Sequence, residues 1–277
     1  MMGRISISQG VAIGLLALVA VLVAITPLLP GYDPYSQNLG GSLLPPGGSS
    51  FDGRFYLLGT DTLGRDMLSR LALAGQVSAL IGLGAVAVSL VVGVTLGLIA
   101  GYFRGPVEAL IMGLADLQLS IPRVLLLIAV TAIIGPSVVS LAIILGLSSW
   151  VAYGRVARGM ALSLREREFI LSARTQGASA AWNIRQHLLP NVLPQMLIVG
   201  SYEFGMIIVL EASLSYLGLG VQPPLPSWGM MVSEGQNYLA MAPQLAILPS
   251  IALFILVAGF QFLSQTLTKE NDLEMVA

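Results

Sequence analysis

The sequence contains no cysteine and a single histidine, His187, among its 277 residues. Without thiols the chain can form no disulfide, thiolate nucleophile or cysteine-ligated metal site. One imidazole likewise argues against a metal site built from histidines. No segment follows the Gly-x-x-x-x-Gly-Lys-Ser/Thr pattern that cradles nucleotide phosphates. We therefore expect no cofactor bound to this chain.

Charged residues are also scarce. They make up 10% of the chain, against about 25% in an ordinary soluble domain. Hydrophobic residues make up 56%, and the mean hydropathy is +0.86. The formal net charge of -1 gives no electrostatic reason to expect a nucleic-acid partner. Composition therefore predicts an all-α membrane protein that contacts lipid.

Six stretches could each cross the membrane. A helix needs about 20 largely apolar residues to cross roughly 30 Å of hydrocarbon. The qualifying stretches are residues 10–29, 77–101, 108–134, 138–158, 193–215 and 244–266. The first is interpreted as an uncleaved anchor instead of a signal peptide, because its apolar run is long and ends at Pro27 and Pro30 without a small-residue cleavage site.

The basic residues predict the orientation, because Lys and Arg in short loops favour the cytoplasmic side. With the N-terminus in the cytoplasm, nine basic residues lie inside and three outside. The inside set is Arg4, Arg104, Arg155, Arg158, Arg165, Arg167, Arg174, Arg185 and Lys269, and the outside set is Arg54, Arg65 and Arg70. Both termini are therefore predicted to be cytoplasmic. The chain divides into an anchor (1–30), an extracytoplasmic loop (31–75), a transmembrane domain (76–267) and a cytoplasmic tail (268–277).

The predicted cytoplasmic connection between the fourth and fifth spans, hereafter the 159–192 loop, has a folded character. Its sequence predicts a helix over 163–174, a break at 177–179, and a second helix from Ala180 to Leu189 that Pro190 ends. Ser179 is the predicted N-cap of the second helix. Two short helices presented on one side of a membrane protein are typical of a docking surface.

This loop carries a resemblance to a known family. Residues 168–179, Glu-Phe-Ile-Leu-Ser-Ala-Arg-Thr-Gln-Gly-Ala-Ser, together with His-Leu-Leu-Pro-Asn at 187–191, resemble the coupling loop of ABC-importer permeases. The general pattern is Glu-Ala-Ala, three residues, Gly, nine residues, Ile, one residue, Leu-Pro. It is matched at Ala173, Gly177, Leu189 and Pro190, whereas Leu171, Ser172 and His187 replace Glu, Ala and Ile. Residues 168–178 follow the dipeptide, oligopeptide and nickel form, Glu-Tyr/Phe-x-x-Ala-Ala-Arg-x-x-Gly-Ala, except at Ser172.

Two further segments resemble the same subfamily. Residues 59–70, Gly-Thr-Asp-Thr-Leu-Gly-Arg-Asp-Met-Leu-Ser-Arg, are similar to the segment that precedes the second span of its C-type subunit. Residues 211–229, from Glu-Ala-Ser-Leu-Ser-Tyr to Pro-Ser-Trp-Gly, resemble the end of the fifth span and the loop after it. Three motifs in the same order are more specific than the loop alone.

The resemblance implies a type I ABC importer permease fold of six spans, working by alternating access in the inner membrane of a bacterium or archaeon. It implies a homologous second permease, two ATP-binding subunits that hold ATP and Mg, and an extracytoplasmic binding protein that delivers a peptide or similar small solute. It also implies a set of ATPase-coupling residues: Glu168, Ala173, Arg174, Gly177, Ala178, His187, Leu189 and Pro190. The chain itself would hydrolyse nothing.

Two other classes of membrane protein compete with this interpretation. A secondary transporter driven by an ion gradient would ordinarily show internal repeats and more intramembrane polar residues, and no repeat is visible. A membrane-embedded enzyme would need a nucleophile, a base or a metal constellation, and the sequence suggests none.

Two glutamates in the fifth span are candidates for the translocation path. Glu203 follows Pro194 by nine residues, so it lies about 13 Å into the membrane, where a charge is costly. It could line the path and receive a cationic group such as a peptide amino terminus. It could instead pair with Arg123 or a partner's cation, or stay protonated. Glu211 lies two turns further along, near the predicted outer boundary, where a charge costs less.

Small residues mark one face of the second span. Gly93, Gly97 and Gly101 recur at four-residue spacing. Such a stripe favours close helix packing, either within the chain or against a partner subunit.

In the loop before this span, Asp61, Arg65 and Asp66 are spaced for helix capping and for ion pairs on the surface. Such exposed ion pairs contribute little to stability. The alternative interpretation is that these residues contact the receptor.

Overall fold

The computed structural model describes the backbone of residues 7–276 and the side chains of residues 9–268. This part of the chain forms ten α-helices and one two-stranded sheet. The helices are α1 (Ile7–Ile25), α2 (Met67–Phe103), α3 (Gly105–Ser120), α4 (Arg123–Ile134), α5 (Val138–Leu164), α6 (Glu168–Thr175), α7 (Ala180–Asn183), α8 (Leu189–Tyr216), α9 (Trp228–Gly235) and α10 (Gln244–Val276). Strands β1 (Gly48–Ser49) and β2 (Phe55–Tyr56) pair antiparallel in the loop before α2.

The predicted third span is not one continuous helix. Helices α3 and α4 meet at a bend of 92°. The cause is Pro122, which disfavours the α conformation at the residue before it, and Ile121 accordingly has φ -95° and ψ 128°. Among the described residues, five other helical stretches are long and apolar enough to cross a membrane, and the bent pair brings the number to six if it counts as one span.

Two other predicted boundaries move. Helix α2 begins at Met67, inside the predicted loop 31–75, because Asp66 caps it by accepting a hydrogen bond from the Ser69 N–H at 2.8 Å. Helix α10 continues through Val276, so most of the predicted tail at 268–277 is helical.

The 159–192 loop follows the predicted two-helix plan with different ends. Helix α5 runs to Leu164, and α6 begins only at Glu168. The N-cap prediction is confirmed, since Ser179 Oγ accepts the Trp182 N–H at 3.2 Å. Pro190, by contrast, does not end the second helix, because it follows a π-helical turn directly and lies in the first turn of α8, which continues past it.

A π-helical turn over Ile184–Leu188 joins α7 to α8. The helical path from Ala180 to Tyr216 therefore has no break, and the 159–192 loop enters the fifth span directly. Pro194 lies further inside α8.

The glycine stripe of α2 packs within the chain, against α5. A Cβ at Gly97 would lie 2.4 Å from the Gly154 carbonyl oxygen and 2.8 Å from the Ala157 Cβ. Gly93 and Gly101 meet α5 just as closely, one turn away on either side. The small residues therefore let the backbones of α2 and α5 touch.

The acidic and basic residues before α2 form an inward network. Asp61 pairs with Arg65 at 2.6 Å and with Arg70 at 3.2 Å. The Arg70 side chain is only 2% exposed, and its second acidic neighbour is Glu234 of α9 at 3.5 Å. The surface ion pairs expected here are thus partly buried, and they fasten the loop to α2 and α9. Asp66 has the expected capping role.

Candidate coupling surface and membrane-embedded charge pair

The turn between α6 and α7 requires glycine at position 177. The Gly177 N–H donates to the Arg174 carbonyl and the Ala178 N–H to the Ala173 carbonyl, each at 3.0 Å. This is a Schellman motif, which needs a left-handed residue at the position that Gly177 occupies with φ +89°. Nothing lies within 4 Å of a Cβ built there. The glycine is therefore set by backbone conformation and faces open space.

An aromatic patch stands beside this turn. The His187 ring packs edge-on against Trp182 at a centroid distance of 4.9 Å and against Phe169 at 5.5 Å. Phe169 and Trp182 are 46% and 47% exposed. The resemblance placed His187 among the coupling residues but gave no role to Trp182, although a tryptophan in a short helix of a predicted docking surface was an available signal.

The opposite face of the 159–192 loop is fixed to the membrane helices. Ile170 and Leu188 are fully buried in one apolar cluster with Leu98 of α2 and Ala157 of α5. The loop is therefore packed against the α2–α5 pair as well as joined to α8.

The predicted coupling residues are distributed over the accessible side of the loop. Glu168, Arg174, Gly177 and Pro190 are exposed, and Ala173, Ala178, His187 and Leu189 are half-buried. All eight lie within the unit formed by α6, α7, the π turn and the start of α8. The fold thus brings together the residues that the motif places 22 positions apart.

Glu203 lies in α8 opposite Arg123, the first residue of α4. Arg123 Nη2 is 3.8 Å from Glu203 Oε2, which is ion-pair range and too long for a hydrogen bond. The Glu203 side chain is 9% exposed and the Arg123 side chain 31%. Of the interpretations of Glu203 left open by the sequence, pairing with Arg123 is thus present in the structure.

Hydroxyl groups of α5 hold the arginine. Arg123 Nε donates to Ser148 Oγ at 3.3 Å, and Nη2 donates to Ser149 Oγ. Both serines in turn donate to the Leu145 carbonyl. Two buried acceptors nearby have no hydrogen-bond partner among the described residues, namely Glu203 Oε2 and the Tyr153 hydroxyl. Tyr153 reaches Gly200, one turn before Glu203.

Glu211 has a different environment. It is 0% exposed, and it accepts hydrogen bonds from Ser78 Oγ at 3.1 Å and from Ser215 Oγ at 2.7 Å. The carboxyl group is therefore enclosed between α2 and α8, whereas its position near the predicted outer boundary had suggested only that a charge costs less there. Its assignment to the path stays a prediction, and it requires α2 and α8 to separate.

The sequence matches the family model of the inner membrane components of binding-protein-dependent transport systems over residues 93–269. The chain belongs to this family. The matched segment includes the 159–192 loop, Arg123, Glu203 and Glu211. Family members are transport components, so the chain is a permease and not an enzyme, and the stand-alone secondary transporter is excluded.

Similar proteins include permeases of several transport systems. The chain is 38% identical to the glutathione transport system permease protein of Pectobacterium atrosepticum, over 78% of this chain and 72% of the relative. It is 35% identical to the dipeptide transport system permease protein of Alkalihalophilus pseudofirmus, over 92% of this chain and 82% of the relative. It is 33% identical to the nickel transport system permease protein of Escherichia coli, over 97% and 95%.

The fold has a solved counterpart. An inward-facing structure of the MetNI methionine ABC transporter contains a chain that matches this permease with a TM-score of 0.58 and 18% sequence identity. The match covers 74% of this chain and 97% of the other. It confirms the predicted type I importer permease fold.

Proposed function

We propose that this permease is one of two such subunits in an importer of short peptides. The observation that carries the proposal is its similarity to a dipeptide transport permease over 92% of the chain. The glutathione relative, named for a tripeptide, supports the same substrate class. Co-expression with its partner subunits and binding protein, followed by uptake of radiolabelled Ala-Ala into proteoliposomes, tests the proposal. Uptake that depends on ATP supports it; stable assembly without uptake contradicts it.

In this proposal other subunits bind the nucleotide, complete the path and deliver the substrate. Two ATP-binding subunits hold ATP and Mg, and one of them docks on the aromatic patch and on the coupling residues around Gly177. A second, homologous permease completes the path, and an extracytoplasmic binding protein delivers the substrate. The accessible face formed by Phe169 and Trp182 supports the docking role, because exposed aromatic side chains are frequent anchors of protein interfaces.

We further propose that the chain spans the inner membrane of a bacterium or archaeon with both termini in the cytoplasm. The chain offers a direct test, because it contains no cysteine. Cysteines placed singly at Phe51 and Gln222, both exposed, are expected to react with an impermeant thiol reagent outside intact cells. Gln186→Cys in the 159–192 loop is expected to react only after the cells are opened. Labelling of Gln186→Cys in intact cells would reverse the orientation.

Glu203 and Glu211 are proposed to border the translocation path, with Glu203 meeting the amino terminus of the substrate. Glu203→Gln keeps the size and hydrogen bonding of the side chain but removes its charge. We expect uptake of Ala-Ala to fall about tenfold, the size of one lost charge-assisted hydrogen bond. Assembly and basal ATPase activity should persist. Unchanged uptake would remove Glu203 from the path.

A further inference from the structure

Arg123 is a partly exposed cation within an apolar part of the chain, so it needs water or a charged group beside it. It begins α4 directly after the 92° bend, and 31% of its side chain is exposed on the surface of the subunit. Because α3 and α4 together are apolar enough to form one broken membrane segment, a guanidinium between them would be costly against lipid. The exposed part therefore faces the partner subunit or an aqueous path.

The bonds inside the subunit leave the charge pair incompletely satisfied. Ser148 and Ser149 accept hydrogen bonds from Arg123, while Glu203 lies beyond hydrogen-bond distance at 3.8 Å. Glu203 Oε2 and the Tyr153 hydroxyl are buried without partners among the described residues. The cluster thus has a guanidinium with an exposed edge and, beside it, two oxygens without a hydrogen bond among the described residues, one of which belongs to the ion-pair partner of Arg123.

From this arrangement we propose that Arg123 and Glu203 form a site for a zwitterion. Arg123 binds the carboxylate of the substrate, since the guanidinium fork matches two carboxylate oxygens. Glu203 and Tyr153 accept N–H groups of the substrate's ammonium. The inference rests on the proposed peptide function and assigns the second charge of the substrate to a residue that the resemblance does not mark.

Charge balance favours a zwitterion over an ion. Without substrate, Arg123 and Glu203 neutralise each other, which limits the cost of burying either charge. A zwitterion inserted between them separates the pair but gives each member a new counter-charge. A singly charged ligand would leave one member unpaired in a medium of low dielectric, which is strongly unfavourable.

Exchange of the two charges distinguishes this site from a structural ion pair. Arg123→Glu combined with Glu203→Arg keeps the attraction between α4 and α8 but reverses its direction. We expect the double variant to assemble at a yield within about twofold of the parent. Uptake of Ala-Ala should nevertheless stay at least about tenfold lower, because the peptide could pair with the exchanged charges only in the reversed direction, with its carboxylate beside Tyr153 where the ammonium lay before.

Two results would overturn the site. Recovery of both assembly and uptake in the double variant would show that the pair is structural. If the double variant fails to assemble, Arg123→Lys decides instead, since it keeps the charge but loses the fork. Uptake of Ala-Ala by Arg123→Lys within twofold of the parent would also contradict the proposal. Failure of the parent complex to take up Ala-Ala would refute the peptide function itself and is thus distinguishable.

Discussion

Gly177→Asp is expected to reduce ATP-dependent uptake at least about 100-fold while the chain still inserts into the membrane. A Cβ at this position meets nothing within 4 Å, so the aspartate does not clash inside the subunit. The positive φ of +89° adds backbone strain of about 1–3 kcal/mol. The larger effect is expected from a carboxylate placed in the turn that is proposed to contact the ATPase. Uptake and recovery of the ATP-binding subunits are the two measurements.

Two control variants separate these causes. Gly177→Asn has nearly the size of aspartate and tolerates left-handed backbone, so it should retain far more uptake if charge is the cause. Gly218→Asp introduces the same side chain at φ +81°, also without a neighbour within 4 Å, in the loop after α8. It is expected to have little effect on ATPase recovery. Equal loss in Gly177→Asp and Gly218→Asp would attribute the defect to strain and remove Gly177 from the docking surface.

Gly97→Leu is expected to prevent stable folding. Its Cβ would lie 2.4 Å from the Gly154 carbonyl oxygen, and a backbone atom cannot move aside as a side chain can. Overpacking of a core typically costs about 1–3 kcal/mol. Here α2 and α5 would have to separate along their contact, so we expect the upper end, about 3 kcal/mol or a more than 100-fold shift towards unfolded chain.

The yield of monodisperse protein after detergent extraction, with its thermal transition, measures this effect. Gly14→Leu is the matched control, because Gly14 lies on an exposed face of α1 with nothing within 4 Å of its Cβ. It should behave as the parent does. A normal yield for Gly97→Leu would mean that α2 and α5 can separate at this point without loss of stability.

The sequence predicted the number of spans well because hydropathy is a property of the segment alone. Its errors concern places where a proline has two possible consequences. Pro122 bends the backbone by 92° between α3 and α4, whereas Pro190, expected to end a helix, lies within the first turn of one. Only the position of the proline relative to the helix start separates these outcomes, and that position depends on tertiary packing.

The candidate site was predictable to a similar extent. The residues around Gly177 could be identified because their pattern is local and matches a motif. The partner of Glu203 could be named only as one of several alternatives, because 80 positions separate Arg123 from Glu203 in sequence. The serines that hold Arg123 had no signal at all, since hydroxyls at 148 and 149 are compatible with almost any helix surface. Only the structure could likewise show whether the glycine stripe packs within the chain or against a partner subunit.

The unbroken helix from Ala180 to Tyr216 has a mechanical consequence. Leu188 is fully buried against the α2–α5 pair, so a rigid tilt of this helix against an unmoved pair would pivot about that residue. At 1.5 Å per residue, Ala180 is about 12 Å from Leu188 on one side and Glu203 about 22 Å on the other. A tilt that moves the start of α7 by about 1 Å therefore moves Glu203 by nearly twice as much in the opposite direction. In such a tilt a small displacement at the 159–192 loop would become a larger one at Glu203, whose carboxylate lies 3.8 Å from Arg123.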